Sequence, residues 1–166
     1  MTARKLKNVF RFIDDLNAVN DNNIFLDNIN NIYPPELELS KENTNEHEAT
    51  FLDLRITIKE NKFDVSLFDK RNDFNFDIVR MPFKSSNIPS NMFYNTISAE
   101  CLRIARTCNK QINFARCITP LLLRMLKQGA IKSRIISTLR KSYNRHFNIY
   151  SKIADTFQSF SALLFG

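Results

Sequence analysis

The sequence predicts an α+β fold, in which two β-hairpins with a helix between them precede a bundle of three or four helices. Two changes along the chain carry that prediction. Up to Leu67 the apolar residues fall in short runs, clearly alternating after Phe51, broken by turn residues, whereas from Phe93 onward they recur every three to four positions. The charge changes too: residues 1–110 carry 15 Lys/Arg against 16 Asp/Glu, and residues 111–166 carry 9 Lys/Arg against one acid, Asp155. The irregular, proline-containing stretch Lys70–Ser90 is the natural boundary, which divides the chain into units 1–89 and 90–166.

Taken in order, Val9–Ile13 reads as a strand, Asp14-Asp15 interrupts it, and Leu16–Val19 resumes it, giving a hairpin with two acids at or beside its tip. Asp21-Asn22-Asn23 offers caps for a helix over about Ile24–Ile32, with Ile24, Phe25, Ile29 and Ile32 on one side and Pro34-Pro35 as the stop. Leu37–Leu39 is a short alternating strand, and polar Ser40–Thr50 a loop. Phe51–Ile58 alternates Leu52, Leu54, Ile56 and Ile58 with Asp53, Arg55 and Thr57, the pattern of a strand with one buried face. Glu60-Asn61 turns the chain, and Phe63, Val65 and Leu67 alternate back to close the second hairpin.

Four amphipathic helices follow. Phe93, Ile97, Cys101, Leu102, Ile104, Ala105 and Cys108 line the first; Ala115, Ile118, Leu122, Met125 and Leu126 line the second, with Gly129 as its C′ cap. Ile131, Ile135, Leu139 and Tyr143 line a third, and Tyr150, Ile153, Phe157, Phe160 and Leu164 a fourth. Short links between such helices read as a small bundle.

Composition removes several function classes. With only two glycines, Gly129 and Gly166, the chain has no glycine-rich phosphate loop and no dinucleotide fingerprint. Cys101, Cys108 and Cys117 are odd in number, and the first two share a helical face, so buried free thiols in a reducing compartment are expected. His47 and His146 have no Cys or His at ligand spacing, and surface or capping roles are expected for them. No run approaches the ~20 apolar residues of a membrane helix, and the N-terminus has no signal-peptide pattern. An intracellular protein without membrane contact is the expectation, nuclear or cytoplasmic being undecided.

Two features point to chemistry. Asp14-Asp15 pairs hard oxygen donors on a hairpin, the kind of ligand magnesium takes in phosphoryl transfer, although a bare Asp-Asp in a turn is also ordinary turn chemistry. The basic tail, with Lys127, Lys132, Arg134, Arg140, Lys141 and Arg145 in or beside its third helix, suits a phosphate backbone, and equally a solubilising surface or an acidic protein partner. Near-absence of acids there favours nucleic acid. Two helices flanking Lys127-Gln128-Gly129-Ala130 also allow a helix-turn-helix reader of DNA. Tyr143, Tyr150 and Phe157 are available for base stacking, while their helical spacing favours core packing.

Phe12-Ile13-Asp14-Asp15-Leu16 resembles the aromatic-x-Asp-Asp box of reverse transcriptases. The runs YPPELELSKEN, FLDLRITI and SLFDKRNDFNFDIVRMPFKSSNIPS, with the basic helices after them, are similar to the reverse transcriptases of Penelope-like retroelements. The resemblance implies a partial polymerase palm followed by a helical thumb, with FLDLRITI and its return strand as the hairpin that supports the primer end. It also implies Asp14 and Asp15 as magnesium ligands, Phe12 packing beneath the primer end or the hairpin, and Lys41 contacting or protonating the departing pyrophosphate. A solvated lysine after a strand remains the alternative for Lys41, and a core strand residue for Phe12.

In that family the third metal-binding carboxylate and the fingers lie upstream of the Asp-Asp box, and 13 residues precede Asp14 here. The expectation is therefore the C-terminal portion of an RNA-directed DNA polymerase, inactive alone, that binds an RNA/DNA template-primer. Magnesium would then need the missing N-terminal polymerase half as a partner. The alternative is a non-enzymatic, helix-turn-helix-like module with a relic β part.

Overall fold

A computed structural model describes residues 8–19, 24–43, 45–76, 78 and 81–166. Among these residues the architecture is α+β: two small antiparallel sheets and seven α-helices. β1 (Val9–Phe12) and β2 (Asp15–Ala18) form the first sheet, in which Phe12 pairs with Asp15 and Val9 with Ala18. The second is a meander of β3 (Glu48–Phe51), β4 (Leu54–Lys59) and β5 (Lys62–Leu67). The helices are α1 (Ile24–Asp27), α2 (Ile29–Ile32), α3 (Ser90–Thr107), α4 (Gln111–Lys127), α5 (Lys132–Arg145), α6 (Phe147–Tyr150) and α7 (Phe157–Phe165). Among the described residues no helix is long and apolar enough to cross a membrane.

Several local expectations need correction. FLDLRITI is not one strand, because the chain reverses at Leu52-Asp53 and pairs Phe51 with Leu54. The polar stretch before it, expected to be a loop, supplies β3, which Arg55 ties across to Glu48 at 3.2 Å. Leu37–Leu39 forms no strand; Leu37 and Leu39 are exposed and meet no pairing partner. The expected helix over Ile24–Ile32 breaks into two single turns at Asn28, whose side chain donates to the Ile24 carbonyl at 2.8 Å. Of its expected apolar face only Phe25 is buried. The proposed caps at Asp21–Asn23 lie outside the described residues.

With few glycines to draw on, the hairpins turn on ordinary residues. Ile13, Leu52, Glu60 and Asn61 all take positive φ, at 52°, 56°, 51° and 59°. Left-handed φ at both Glu60 and Asn61 matches the mirror-image turn that follows a hairpin's twist, as their position between β4 and β5 suggests.

The helical half follows its periodicity closely. Phe93, Ile97, Cys101 and Ile104 recur at helical spacing and place their side chains on one buried face of α3, which contacts α4, α5, α6 and β5. Phe114, Ile118, Leu122 and Met125 do the same for α4, Phe114 in place of the expected Ala115. Pro120 sits inside α4, where its missing N–H cannot serve the Arg116 carbonyl, yet the helix continues to Lys127. Each fully buried Ile or Phe of this core contributes about 1.5–3 kcal/mol of transfer free energy. Among the described residues, every buried hydrophobic residue apart from Phe25 and Met81 belongs to residues 93–166.

At the end of α4 the chain stops as the glycine predicts. Gly129 has φ +92°, its N–H donates to the Leu126 carbonyl, and the Ala130 N–H donates to the Met125 carbonyl, both at 3.0 Å. The expected fourth helix, by contrast, is split. Thr156 accepts from the Ser159 N–H at 3.2 Å and starts α7 afresh, leaving α6 as one turn. An N-cap side chain here prevails over an apolar spacing that a continuous helix would also satisfy.

Polar contacts seat the meander on the helices. Asn109, between α3 and α4, bonds β5 three times: Nδ2 to the Phe63 carbonyl (2.7 Å), Oδ1 from the Val65 N–H (3.0 Å) and its own N–H to the Val65 carbonyl (3.2 Å). Asp64 accepts from Lys110 at 2.9 Å and also from Asn113, and Arg103 donates to Asp53 at 2.7 Å.

Candidate functional site

Asp14 and Asp15 sit where the hairpin turns. Ile13 and Asp14 are the two turn residues, and Asp15 opens β2 opposite Phe12. Arg11 steadies this tip: its Nε donates to the Ile13 carbonyl at 2.9 Å, and its guanidinium lies 5.5 Å from the centroid of the Tyr33 ring. Both carboxylates are exposed and unpaired among the described residues. They are hard donors, but among the described residues no group of three or more His, Cys, Asp or Glu side chains is placed to hold a metal. Two adjacent carboxylates alone do not fix the pair of ions that polymerase chemistry uses.

Phe12 is 53% exposed and Ile13 69% exposed, so the aromatic beside the acids is not a core residue of this chain. Phe10, Leu26, Leu37 and Leu39 are exposed as well. Lys41 lies beyond Leu39 in irregular chain, exposed and with no hydrogen-bond partner among the described residues.

Basic residues differ in how they are paired, and Arg11, Lys41, Lys62, Lys70, Lys84 and Arg106 of the first 110 residues form no ion pair among the described residues. Among those up to residue 110, Arg55, Lys59, Arg71, Arg103 and Lys110 are held in ion pairs with Glu48, Asp64, Asp69, Asp53 and Glu100. Lys127, Lys132, Arg134, Arg140, Lys141 and Arg145 are all exposed, and none forms an ion pair among the described residues. Arg134, Lys141 and Arg145, seven and four residues apart, share one solvent-facing side of α5, opposite the buried Ile135, Leu139 and Tyr143. Three of the six also rest on aromatic faces: Lys132 on Phe165 (5.3 Å), Arg134 on Tyr94 (5.5 Å) and Arg140 on Phe157 (4.9 Å). Such contacts hold the stems while leaving charge toward solvent.

Tyr143 and Tyr150 are core residues. Their rings stack at 5.8 Å, Tyr143 donates to the Ala154 carbonyl at 2.8 Å, and Tyr150 shares a hydrogen bond with Ser142 at 3.1 Å. Phe157 packs edge-on against Tyr143, at 5.7 Å between ring centroids. None of the three is free to stack on a base.

One feature had no signal in the sequence. A cleft of ≈ 230 Å³ opens between β5, α3 and α4, and Arg55, Arg71, Arg103, Arg116, Arg124 and Cys117 are among its lining residues. These arginines come from separate elements, so no spacing announces them; Arg116 and Arg124 have no ion-pair partner among the described residues. No family model matches this chain, and no curated protein and no solved structure matches it either.

Proposed function

We propose that this chain is the C-terminal portion of an RNA-directed DNA polymerase of the Penelope-like class, gripping a template-primer backbone through its basic helices and not polymerising alone. The unpaired state of the six cations in and beside α5 carries this reading. A basic residue already neutralised by a carboxylate releases few counterions on meeting phosphate, whereas six free ones can each contribute. The ordered resemblance from the Asp-Asp box to the basic helices supports the palm and thumb assignment. The exposed apolar surface around Phe10, Phe12 and Ile13 supports a palm that is completed by further polypeptide. In that completed palm Asp14 and Asp15 would contribute to holding magnesium, which stabilises developing charge on the transferring phosphoryl group. Lys41 would lie toward the pyrophosphate.

The test is binding of the purified chain to a labelled RNA–DNA primer-template across a salt series, with a primer-extension lane. Each phosphate contact contributes about −0.9 to the slope of log K against log salt. Replacing Arg134, Lys141 and Arg145 with Ala should therefore flatten that slope by about 2.7 units on the same scale. Asp14→Ala/Asp15→Ala should leave binding unchanged, and no extension should occur. Extension by the wild type that the double variant loses would overturn the claim of inactivity, and no binding at low salt would remove the nucleic-acid reading.

A second reading is favoured by one observation: α4 and α5 are joined by a glycine-capped turn of the kind found in helix-turn-helix readers. It requires preference for B-form DNA over the RNA–DNA hybrid, which the same salt series run in parallel on a DNA duplex of equal length reports.

A further inference from the structure

Within the arginine-lined cleft the carboxylates are already engaged. Among the described residues Asp69 and Glu100 are the acids that line it. Asp69 accepts from the Arg71 backbone N–H at 3.2 Å and from Arg71 Nε at 2.6 Å, and Glu100 accepts from Arg103 Nε and Nη2 at 3.2 and 3.0 Å. From outside the lining, Asp53 accepts from Arg103 at 2.7 Å, and Glu48 pairs with Arg55 at 3.2 Å. Three of the five arginines are thereby neutralised, and the two on α4 are left over.

Those two, Arg116 and Arg124, stand about two turns apart on α4, with Pro120 and Leu121 between them on the face that lines the cleft. Arg116 is oriented by a contact: its Nη2 donates to Asn113 Oδ1 at 2.7 Å, and Asn113 is buried and donates in turn to Asp64 and to the Val65 carbonyl of β5. Arg124 is half-buried and meets no acceptor among the described residues. A guanidinium carries five N–H donors, so partial burial without a partner removes water from it and returns nothing. Leu67, Met81, Ile104 and Leu121 also line the cleft, and an apolar wall strengthens any charge pairing formed against it.

We propose that this cleft is a binding site for a small phosphate dianion, held between Arg116 and Arg124. Two unneutralised guanidiniums call for about two negative charges, and a phosphate or phosphomonoester carries about −1.5 to −2 near pH 7, where a carboxylate carries one. Its tetrahedral oxygens also match the planar fork of an arginine. Size narrows the class further: the cleft, at ≈ 230 Å³, lies below the roughly 300–1,000 Å³ of sites that enclose drug-sized ligands. It therefore takes the phosphate group itself, as the free ion or as the end of a small ester. The site needs no contribution from α5 and stands whether or not that helix grips nucleic acid.

The test follows the arginine Nε–Hε resonances of the intact, ¹⁵N-labelled chain while inorganic phosphate is added at constant ionic strength. Arg116 and Arg124 should shift together and saturate with one Kd. Arg116→Ala removes an exposed side chain, and Arg124→Lys keeps the charge but loses the fork; each should raise that Kd about tenfold or more. Lys152→Ala, an exposed cation outside the cleft, should leave it unchanged. A parallel titration with ribose 5-phosphate separates the sources: equal Kd values mean that the free ion suffices, and tighter binding of the ester means a small phosphorylated metabolite. The amide spectrum shows whether each variant is folded, and the exposed Arg116 decides the matter should Arg124→Lys unsettle α4. Shifts that grow alike at every arginine without saturating, or an unchanged Kd in Arg116→Ala, would overturn the proposal. So would displacement of the phosphate by an RNA–DNA primer-template, which would make the cleft part of a nucleic-acid grip.

Discussion

Asn109→Ala tests how the meander is attached to the helices. β5 is an edge strand, and at Val65 its outward N–H and carbonyl would face water without a partner strand. Asn109 supplies one: its side chain accepts from the Val65 N–H and donates to the Phe63 carbonyl, and its own N–H serves the Val65 carbonyl. Alanine keeps the last bond and removes the other two. A net hydrogen bond contributes about 0.5–1.5 kcal/mol, and water can replace part of these partly exposed ones, so the loss should be about 1–2 kcal/mol. For a chain of this size that lowers Tm by about 2–8 °C. Urea denaturation gives the free energy, and native-state hydrogen exchange gives the location, because the Val65 amide should lose protection while amides inside α3 keep theirs. An unchanged midpoint together with an unchanged Val65 exchange rate would show that Asn109 does not hold the sheet.

Two further outcomes follow from single contacts. Asp64 has its carboxyl lowered chiefly by the Lys110 hydrogen bond, with Asn113 and Lys59 adding to it. Its folded value lies below the unfolded value of 3.8, so its stabilisation is present above that pH and is lost as pH falls through the folded value. Asp64→Asn should therefore flatten the acid limb of a Tm-versus-pH curve below about pH 4, and an unaltered limb would refute the assignment. Gly129→Ala forces a Cβ onto a residue at φ +92° while meeting nothing closer than Lys84 Cβ at 3.5 Å, so backbone strain is the whole cost. A loss of about 1–2 kcal/mol in urea denaturation is expected, with no change in far-ultraviolet dichroism.

What the sequence determined was set by local rules. Helix periodicity identifies the buried faces of α3, α4 and α5, because a long amphipathic stripe has one way to bury itself. Gly129 ends α4 because a left-handed cap favours glycine, and Glu60-Asn61 turns β4 into β5. The segregation of charge is likewise a property of the chain, and it names the six basic residues before any fold is known.

Tertiary structure decided the rest, wherever two local solutions had similar energies. FLDLRITI alternates as a strand, yet pairing of Glu48–Phe51 with Leu54–Thr57 bends it at Leu52, whose left-handed φ a propensity argument would not assign. Tyr150 to Leu164 has the spacing of a helix, yet the Thr156 cap lets α6 and α7 seat Tyr150 and Phe160 in one aromatic cluster. Ion pairing belongs here too: which cations are neutralised depends on carboxylates brought from distant elements, as Asp53 is to Arg103. The same holds for the cleft, since side chains on different elements meet only after the core has chosen how helices and sheet pack.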